Sequence, residues 1–403
     1  MLLALAWILN NMTTTPLDLN NIYIADLEIC TPLSNDVAEL SEKIQANENE
    51  FCLSDYYGHL GQQINMSLCD SASFRKIDPK ININRCHRDK TLVQMADKAL
   101  TPLLTRFKDY SPSLAPFILA TAEQVPNHKP LTPDQLVNSI RQHLGDNAEM
   151  IHWNQFIPVT IGRAGALATL SLAQKLFQQN NGIELIIIGG LDSYRHSAVL
   201  RDLSKQQRIA MIGSDGFVAG EGAGFIVITN NKHYALNKNN GYVRIHSPGL
   251  AVEQGYIGSN EPNLSQGLTS AIKMALNASP NLPVSQIYTS MNGEAIWYEE
   301  HIASTLRHRH DLDHDIADKS ISSAYNIGDI GSATGMIALA LSSHTLFSDG
   351  IAQRHLITTS SDKNQRSAVC LTFEPAEPQL KYNSNNTEAE AQESAYNEQD
   401  DQQ

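Results

Sequence analysis

The sequence predicts an α/β fold, and three observations carry that prediction. Strand-length apolar runs alternate with helix-period segments along most of the 403 residues. Two segments, 161–179 and 325–343, are rich in small residues and apolar on nearly every face, so each reads as a helix inside a domain rather than on its surface. The run 183–188 is almost continuously apolar, the pattern of a strand covered on both faces of a sheet.

The elements follow in chain order. Residues 21–30 (NIYIADLEIC) form an apolar strand, closed by Thr31-Pro32 and by a Ser34-Asn35-Asp36 cluster that can cap a helix. Val37, Leu40 and Ile44 give 36–46 a helical spacing, whereas 48–87 show no clear period and are expected to be loop with short elements. Over 90–107, Leu92, Met95, Ala96, Ala99, Leu100, Leu103 and Leu104 line one face of an amphipathic helix. A short buried strand at 117–121 precedes a helix over 132–144, led by Pro133. A strand at 153–160 enters the helix 161–179, whose Gly162, Ala164, Gly165, Ala166 and Ala168 permit close packing. The strand 183–188 is expected to end at Gly189 and Gly190, and a glycine-rich turn, SDGFVAGEGAG (214–224), to lead into a strand at 225–229. The second half repeats the style, with a strand at 242–245, a helix over 265–276, a strand at 286–289 and a turn MNGEAIWYEE at 291–300. The helix 325–343 and strands at 355–358 and 368–373 close the body.

This order divides the chain into an N-terminal extension (1–20), two halves of similar layered build (21–230 and 241–373) and a tail (374–403). The halves meet at a polar Asn/Lys stretch near 230–241. The tail carries eight acids against the single base Lys381, half of the net charge of −14, and few large apolar residues, so it is expected to be solvated and disordered.

A hydrophobic content of 42% excludes wholesale disorder, and the acidic balance excludes nucleic acid as a partner, because phosphate contacts dominate such affinity. Five cysteines, odd in number and without a CxxC pair, indicate neither a disulfide framework nor a zinc site and fit a cytoplasmic chain. Cys370 lies in an apolar strand and reads as an inert core thiol. The apolar run at 1–9 has no Lys or Arg before it and falls short of the about 20 residues of a spanning helix. It is read as a ragged start, with Met12 an alternative first residue, so neither a secretory signal nor a membrane span is expected. The run His308, His310, Asp311, Asp313, His314, Asp315 matches no zinc or calcium loop and is interrupted by Arg307 and Arg309, so it reads as an exposed loop; no metal and no cofactor are expected. Ser193 and Ser214 lack an adjacent His/Asp arrangement, so a serine hydrolase is not supported.

Taken together, the TPLSND turn at Thr31, the stretch 183–229 with its SDGFVAGEGAG piece, and NIGDIGSATG at 326–335 resemble the ketosynthase branch of the thiolase superfamily, the β-ketoacyl-acyl-carrier-protein synthases. The resemblance covers about 22–46 and 155–373. It implies a thiolase-like αβαβα sandwich of two pseudo-repeated halves that dimerises. It also implies a cysteine nucleophile at the tip of the first buried helix, with two histidines from the second half that promote decarboxylation of a malonyl thioester. All three positions are changed here: the cysteine falls on Gly162, the histidines on Asn292 and Asp329. The family's lysine falls on Ala324, and its glycine-rich gating loop reads SSDKNQRSA (360–368).

Each departure has two readings. Gly162 either lets a tight strand–helix turn close or records the loss of acyl transfer. Arg163, where a small residue is expected, either reaches solvent or a carboxylate at a subunit contact, or fills the acyl pocket and presents a cation. Asn292 can still donate to an oxyanion. Asp329 and Glu294 either bond to turn amides or form a carboxylate pair with one raised pKa, able to act as acid or base. Glu221 is a further pocket candidate, although with Asp215 it belongs to the retained turn and reads first as a loop anchor.

The resemblance therefore implies a non-condensing protein that binds an acyl thioester or an acyl carrier protein, or a partner subunit. Such a subunit would be a homodimer, or a heterodimer with an active ketosynthase as chain-length factors are, although those usually carry glutamine at the cysteine position. The Asn-Gly-Glu turn at 292–294 and the Gly-Asp-x-Gly turn at 328–331 also resemble those of thiolase-like proteins encoded near bacterial type VI secretion genes, which implies a secretion-associated subunit as a further version of this reading. The alternative is an enzyme of altered chemistry, such as a malonyl-carrier decarboxylase.

Overall fold

The computed structural model describes residues 21–81, 83, 86–123, 131–180, 182–211, 215–313 and 320–376. The extension 1–20, Ser214, His314, Asp315 and the tail beyond Ala376 lie outside these residues.

Twelve described strands and nine α-helices alternate along the chain. The first half holds β1 (Ile22–Cys30), α1 (Val37–Gln45), β2 (Phe51–Tyr57), β3 (Gln63–Ser67), α2 (His87–Tyr110), β4 (Ala115–Thr121), α3 (Pro133–Leu144), β5 (Ile151–Val159), α4 (Gly165–Gln179), β6 (Leu185–Ser193), α5 (Ser197–Lys205) and β7 (Glu221–Thr229). The second holds β8 (Gly241–Ile245), β9 (Gly249–Val252), α6 (Gln266–Asn277), β10 (Val284–Thr289), α7 (Ala295–Arg307), α8 (Ala324–Ile327), α9 (Thr334–Asp349), β11 (Arg354–Ser360) and β12 (Gln365–Pro375). Local chemistry sets several starts. Asp36 accepts from Glu39 N at the head of α1, and Thr132 with Gln135 forms a capping box before Pro133.

The large sheet runs β10-β11-β12-β8-β1-β7-β6-β4-β5, with β9 beside β12. β4 is parallel to β5 and β6, and β10 is parallel to β11; the other pairs are antiparallel. Alternation within β6 divides the core, as a period of two requires. Ile186 and Ile188 pack with Leu167 of α4 and Met336 of α9, whereas Leu185 and Ile187 pack with Leu100 and Leu103 of α2. The α4–α9 layer also meets Ile357, Val369 and Leu371 of β11 and β12, whose other face carries Leu268 and Ile272 of α6. The β1-β7-β6-β4-β5 and β10-β11-β12-β8 arms of this one sheet thus enclose α4/α9, and the layers run α2/α3, sheet arm, α4/α9, sheet arm, α6, the expected thiolase-like αβαβα sandwich.

Several boundaries differ from the sequence expectation. Gly189 and Gly190 lie inside β6, and Gly222 and Gly224 inside β7, with Gly190 in register with Gly224. They serve close approach rather than turning: a Cβ at 190 would sit 2.5 Å from Ser332 O, and one at 224 would sit 2.8 Å from Met336 Cβ. The segment 291–300 is a turn only to Glu294, after which α7 begins. The segment 325–343 is not one helix; Gly328 (φ +70°) and Gly331 (φ +55°) take the left-handed region and separate α8 from α9. Residues 48–87 contain the β2–β3 hairpin, and α5 and β9 have no counterpart in the sequence reading. β12 continues past Phe373, and Glu374, expected in the tail, accepts from Tyr23 Oη at 2.9 Å.

Two buried histidines are expected to make the fold acid-sensitive. His246 (4% exposed) and His355 (1%) contact Thr372 Oγ1 at 2.9 Å and Ser342 Oγ at 3.1 Å, and burial pushes each imidazole pKa down to about 4. The unfolded chain takes up these protons near the ordinary value and the folded chain only near 4, so stability is lost as pH falls through that window. Each histidine is expected to cost about 1–2 kcal/mol by about pH 5. Urea midpoints measured across the window should fall less steeply in His355→Gln than in the unsubstituted protein; equal slopes would remove His355 from the account.

Candidate functional site

Gly162 opens a single 3-10 turn between β5 and α4, with φ at +63°, so the position favours glycine on backbone grounds alone. A Cβ there would lie 2.7 Å from Oε1 and 2.8 Å from Cγ of Glu123, which follows β4 by two residues. Glu123 thus occupies the space in front of the turn. Its Oε1 is buried with no hydrogen-bond partner among the described residues, and burial, followed by repulsion from Asp362, raises its pKa.

The adjacent Arg163 is 4% exposed and turns inward. Nε donates to Ser360 O at 2.8 Å, Nη1 to Asp329 Oδ2 at 2.6 Å, and Nη2 to Asp362 Oδ1. The guanidinium carbon lies 4.9 Å from the ring centre of Trp297 on α7. Asn292 Nδ2 donates to Asp329 Oδ2 at 2.7 Å and to Glu294 Oε2 at 3.1 Å. Glu294 in turn takes a bidentate pair from Arg208, Nε at 2.6 Å and Nη2 at 2.8 Å, and accepts from Trp297 Nε1 at 3.0 Å. Asp362 closes the ring, accepting from Arg208 Nη1 at 2.7 Å and Nη2 at 3.1 Å as well as from Arg163.

The glycine-rich segment before β7 fixes Asp329 in place. Asp329 N donates to Val218 O at 2.7 Å, Gly220 N donates to Asp329 O at 2.9 Å, and a Cβ at 220 would stand 2.6 Å from Ile327 O. Asp329 Oδ1 accepts from Gly331 N at 2.8 Å, the turn-amide contact that is one of the two expected readings.

The structure therefore brings together Gly162, Arg163, Asn292, Glu294 and Asp329, all buried. Asn292 stands between the two carboxylates, and each has its own arginine, so they do not share a proton-bridged contact. Glu221 stands in a separate group: it accepts from Arg195 Nε at 2.8 Å and Nη2 at 2.9 Å, Ser193 Oγ at 2.8 Å and Cys69 N at 2.9 Å. Asp215 accepts from Ala295 N at 3.0 Å at the head of α7, the role of a loop anchor. Arg208, Asp362, Trp297 and Glu123 were not singled out in the sequence as site residues. The available signal was the charge imbalance of two buried acids, Glu294 and Asp329, against the single Arg163, which calls for a second cation.

His308 bonds Thr269 O at 3.0 Å, and among the described residues no group of three ligating side chains is placed to hold a metal. No described helix is long and apolar enough to cross a membrane. Burial raises the Cys370 thiol to about 11. Two surface clefts lie elsewhere: one of 680 Å³ between α1 and the end of α9, lined in part by Asp36, Arg106, His344 and Phe347, and one of 590 Å³ beside Trp153 and Arg141.

These layers and the placement of the buried helices define a ketosynthase-type, thiolase-like fold. The chain is similar to the ketosynthase from module 6 of the bacillaene synthase of Bacillus subtilis 168, at 14% identity and TM-score 0.67, over 88% of this chain and 72% of that one. It is similar to the oxazolomycin ketosynthase domain of Streptomyces albus JA3453, at 13% identity and TM-score 0.67, over 89% and 75%. It is also similar to the ishigamide ketosynthase/chain length factor, at 11% identity and TM-score 0.66, over 88% of this chain and 99% of that one. At these identities the likeness carries the fold. No family model and no curated protein matches the chain.

Proposed function

We propose that this chain is a non-condensing ketosynthase-like protein, which uses the thiolase-type scaffold to bind an acyl or carrier-linked ligand or a ketosynthase partner. The observation that carries the reading is at Gly162. The turn has no side chain, its left-handed backbone favours none, and the carboxylate of Glu123 fills the space a thiol would need. Around it, the groups at 292 and 329 serve an ion-pair network instead of facing a reacting thioester. The partner arm draws support from β5, which among the described strands pairs only with β4 and carries half-buried Trp153, Phe156 and Ile157 along an open edge.

The enzymatic alternative, decarboxylation of a malonyl carrier protein, needs the Asn292 amide free to stabilise an enolate oxygen. Its Nδ2 is engaged by two carboxylates, which argues against it. Incubation with malonyl-carrier protein should yield no acetyl-carrier product; turnover that Asn292→Ala abolishes would overturn the non-condensing reading. Co-purification of a ketosynthase or carrier protein supports the partner arm, and recovery of a homodimer alone counts against a heterodimer.

Gly162→Cys is expected to form no β-ketoacyl product, because both histidines are absent as well. It should also lose about 1–3 kcal/mol of stability from the positive φ and the contact with Glu123. Measurable condensation by this variant would show that the remaining groups suffice.

A further inference from the structure

Asp362 stands in an unusual position between two arginines. Its two oxygens take three bonds from Arg163 and Arg208, in the side-by-side geometry with which guanidinium groups hold a bound carboxylate. Each arginine has other partners that fix it independently of Asp362: Arg163 is tied to Asp329 and Ser360 O, and Arg208 to both oxygens of Glu294. The loop carrying Asp362 is pinned by its backbone, since Arg366 Nη1 donates to Ser361 O at 2.9 Å and Lys363 O at 2.7 Å, and Ile257 N donates to Asp362 O at 3.1 Å. With the backbone held, emptying the space between the arginines requires only rotation of the Asp362 side chain out of its three bonds. Asp362 is also the outermost member of the group, its side chain 33% exposed against 4% for Arg163 and 11% for Arg208.

We propose that the space between Arg163 and Arg208 is a binding seat for the carboxylate of a small molecule, occupied in this conformation by the chain's own Asp362 and opened when that side chain swings outward. Burial opposes ionisation of Asp362, but Arg163 and then Arg208 hold its pKa well below the usual range, so the internal occupant is an anion at neutral pH. An incoming ligand competes with a tethered one, which lowers its apparent affinity by the fraction of time the seat is empty. The seat stands on the two arginines and their supports, and holds whether or not the site condenses thioesters.

Acetate, the Asp side chain freed from its backbone, is the probe. In Asp362→Ala, acetate titrated at constant ionic strength against chloride should bind saturably and raise the melting temperature toward that of the unsubstituted protein. The unsubstituted protein should bind acetate at least about tenfold more weakly, and adding Arg208→Gln to Asp362→Ala should weaken it at least about tenfold. If Asp362→Ala does not fold, Asp362→Ser, which shortens the side chain and removes the charge, is read the same way. Equal effects of acetate and chloride, retention of binding without Arg208, or no saturable binding by Asp362→Ala would each overturn the proposal. Tighter binding of inorganic phosphate than of acetate would overturn the assignment to a carboxylate.

Discussion

Arg163→Met is expected to lower the free energy of unfolding by about 3–5 kcal/mol, the usual consequence of leaving a buried charge without its partner. Asp329 is 2% exposed and, among the described residues, receives its only guanidinium contact from Arg163, its remaining side-chain bonds coming from the neutral Asn292 amide and Gly331 N. Removing the arginine also frees Ser360 O and the face of Trp297, so packing and hydrogen bonding fail together. Asp362 suffers less, since Arg208 still holds both of its oxygens. The distinction is testable in the double substitution. Arg163→Met with Asp329→Asn removes the stranded charge and keeps an oxygen for Gly331 N, so it should recover about half of the loss or more. Urea denaturation of the single and double variants measures this; losses that simply add would show that the buried charge is not what the arginine compensates.

The sequence exposes some parts of this molecule and hides others for physical reasons. β6 and α4 are visible because both are apolar on all sides, and nothing but a covered sheet and an interior helix satisfies such segments. The glycines of β6 and β7 mislead because composition does not distinguish a glycine that turns the chain from one that admits a helix. Gly189 and Gly224 keep strand geometry, whereas Gly331 truly needs positive φ. The β2–β3 hairpin is silent for another reason. On β2, Ser54 faces inward while Leu53 and Tyr57 are 65% and 50% exposed, so its polarity is inverted relative to the alternation that marks a half-buried strand.

The site divides in the same way. Gly162, Asn292 and Asp329 are far apart in sequence, and periodicity carries no information about long-range pairing; their association follows from the resemblance to a fold in which two glycine-rich helix entries converge. Arg208, Asp362 and Glu123 lie in polar stretches that look like solvated surface until the burial around them is known. The inward turn of Arg163 is legible only as one of two choices, because an arginine beside a tight turn reaches solvent as readily as a buried acid.

Gly190→Ala is expected to destabilise the protein by about 3 kcal/mol or more, at or beyond the upper end for an added core methyl, and by more than Gly189→Ala in the same strand. The two residues face opposite sides of β6. A Cβ at 189 would meet the Phe225 ring at 2.4 Å and Leu119 Cδ1 at 3.2 Å, both side chains with some freedom to shift. A Cβ at 190 would meet Ser332 O at 2.5 Å and Ala333 Cα at 3.1 Å, which are backbone atoms of the turn leading into α9. Ser332 cannot yield alone, because its N donates to Asp192 Oδ2 at 3.1 Å and its Oγ to Leu191 O at 2.8 Å. The new methyl group would have to displace the whole 331–333 turn, and with it Gly331 N, the amide that holds Asp329 Oδ1. The loss should therefore be shared with the arginine network. In denaturant titrations, Gly190→Ala combined with Arg163→Met is expected to lose less than the sum of the two single losses, whereas Gly189→Ala combined with Arg163→Met should add. Additive behaviour in both pairs would mean that the close helix approach and the ion-pair site are independent features of the fold.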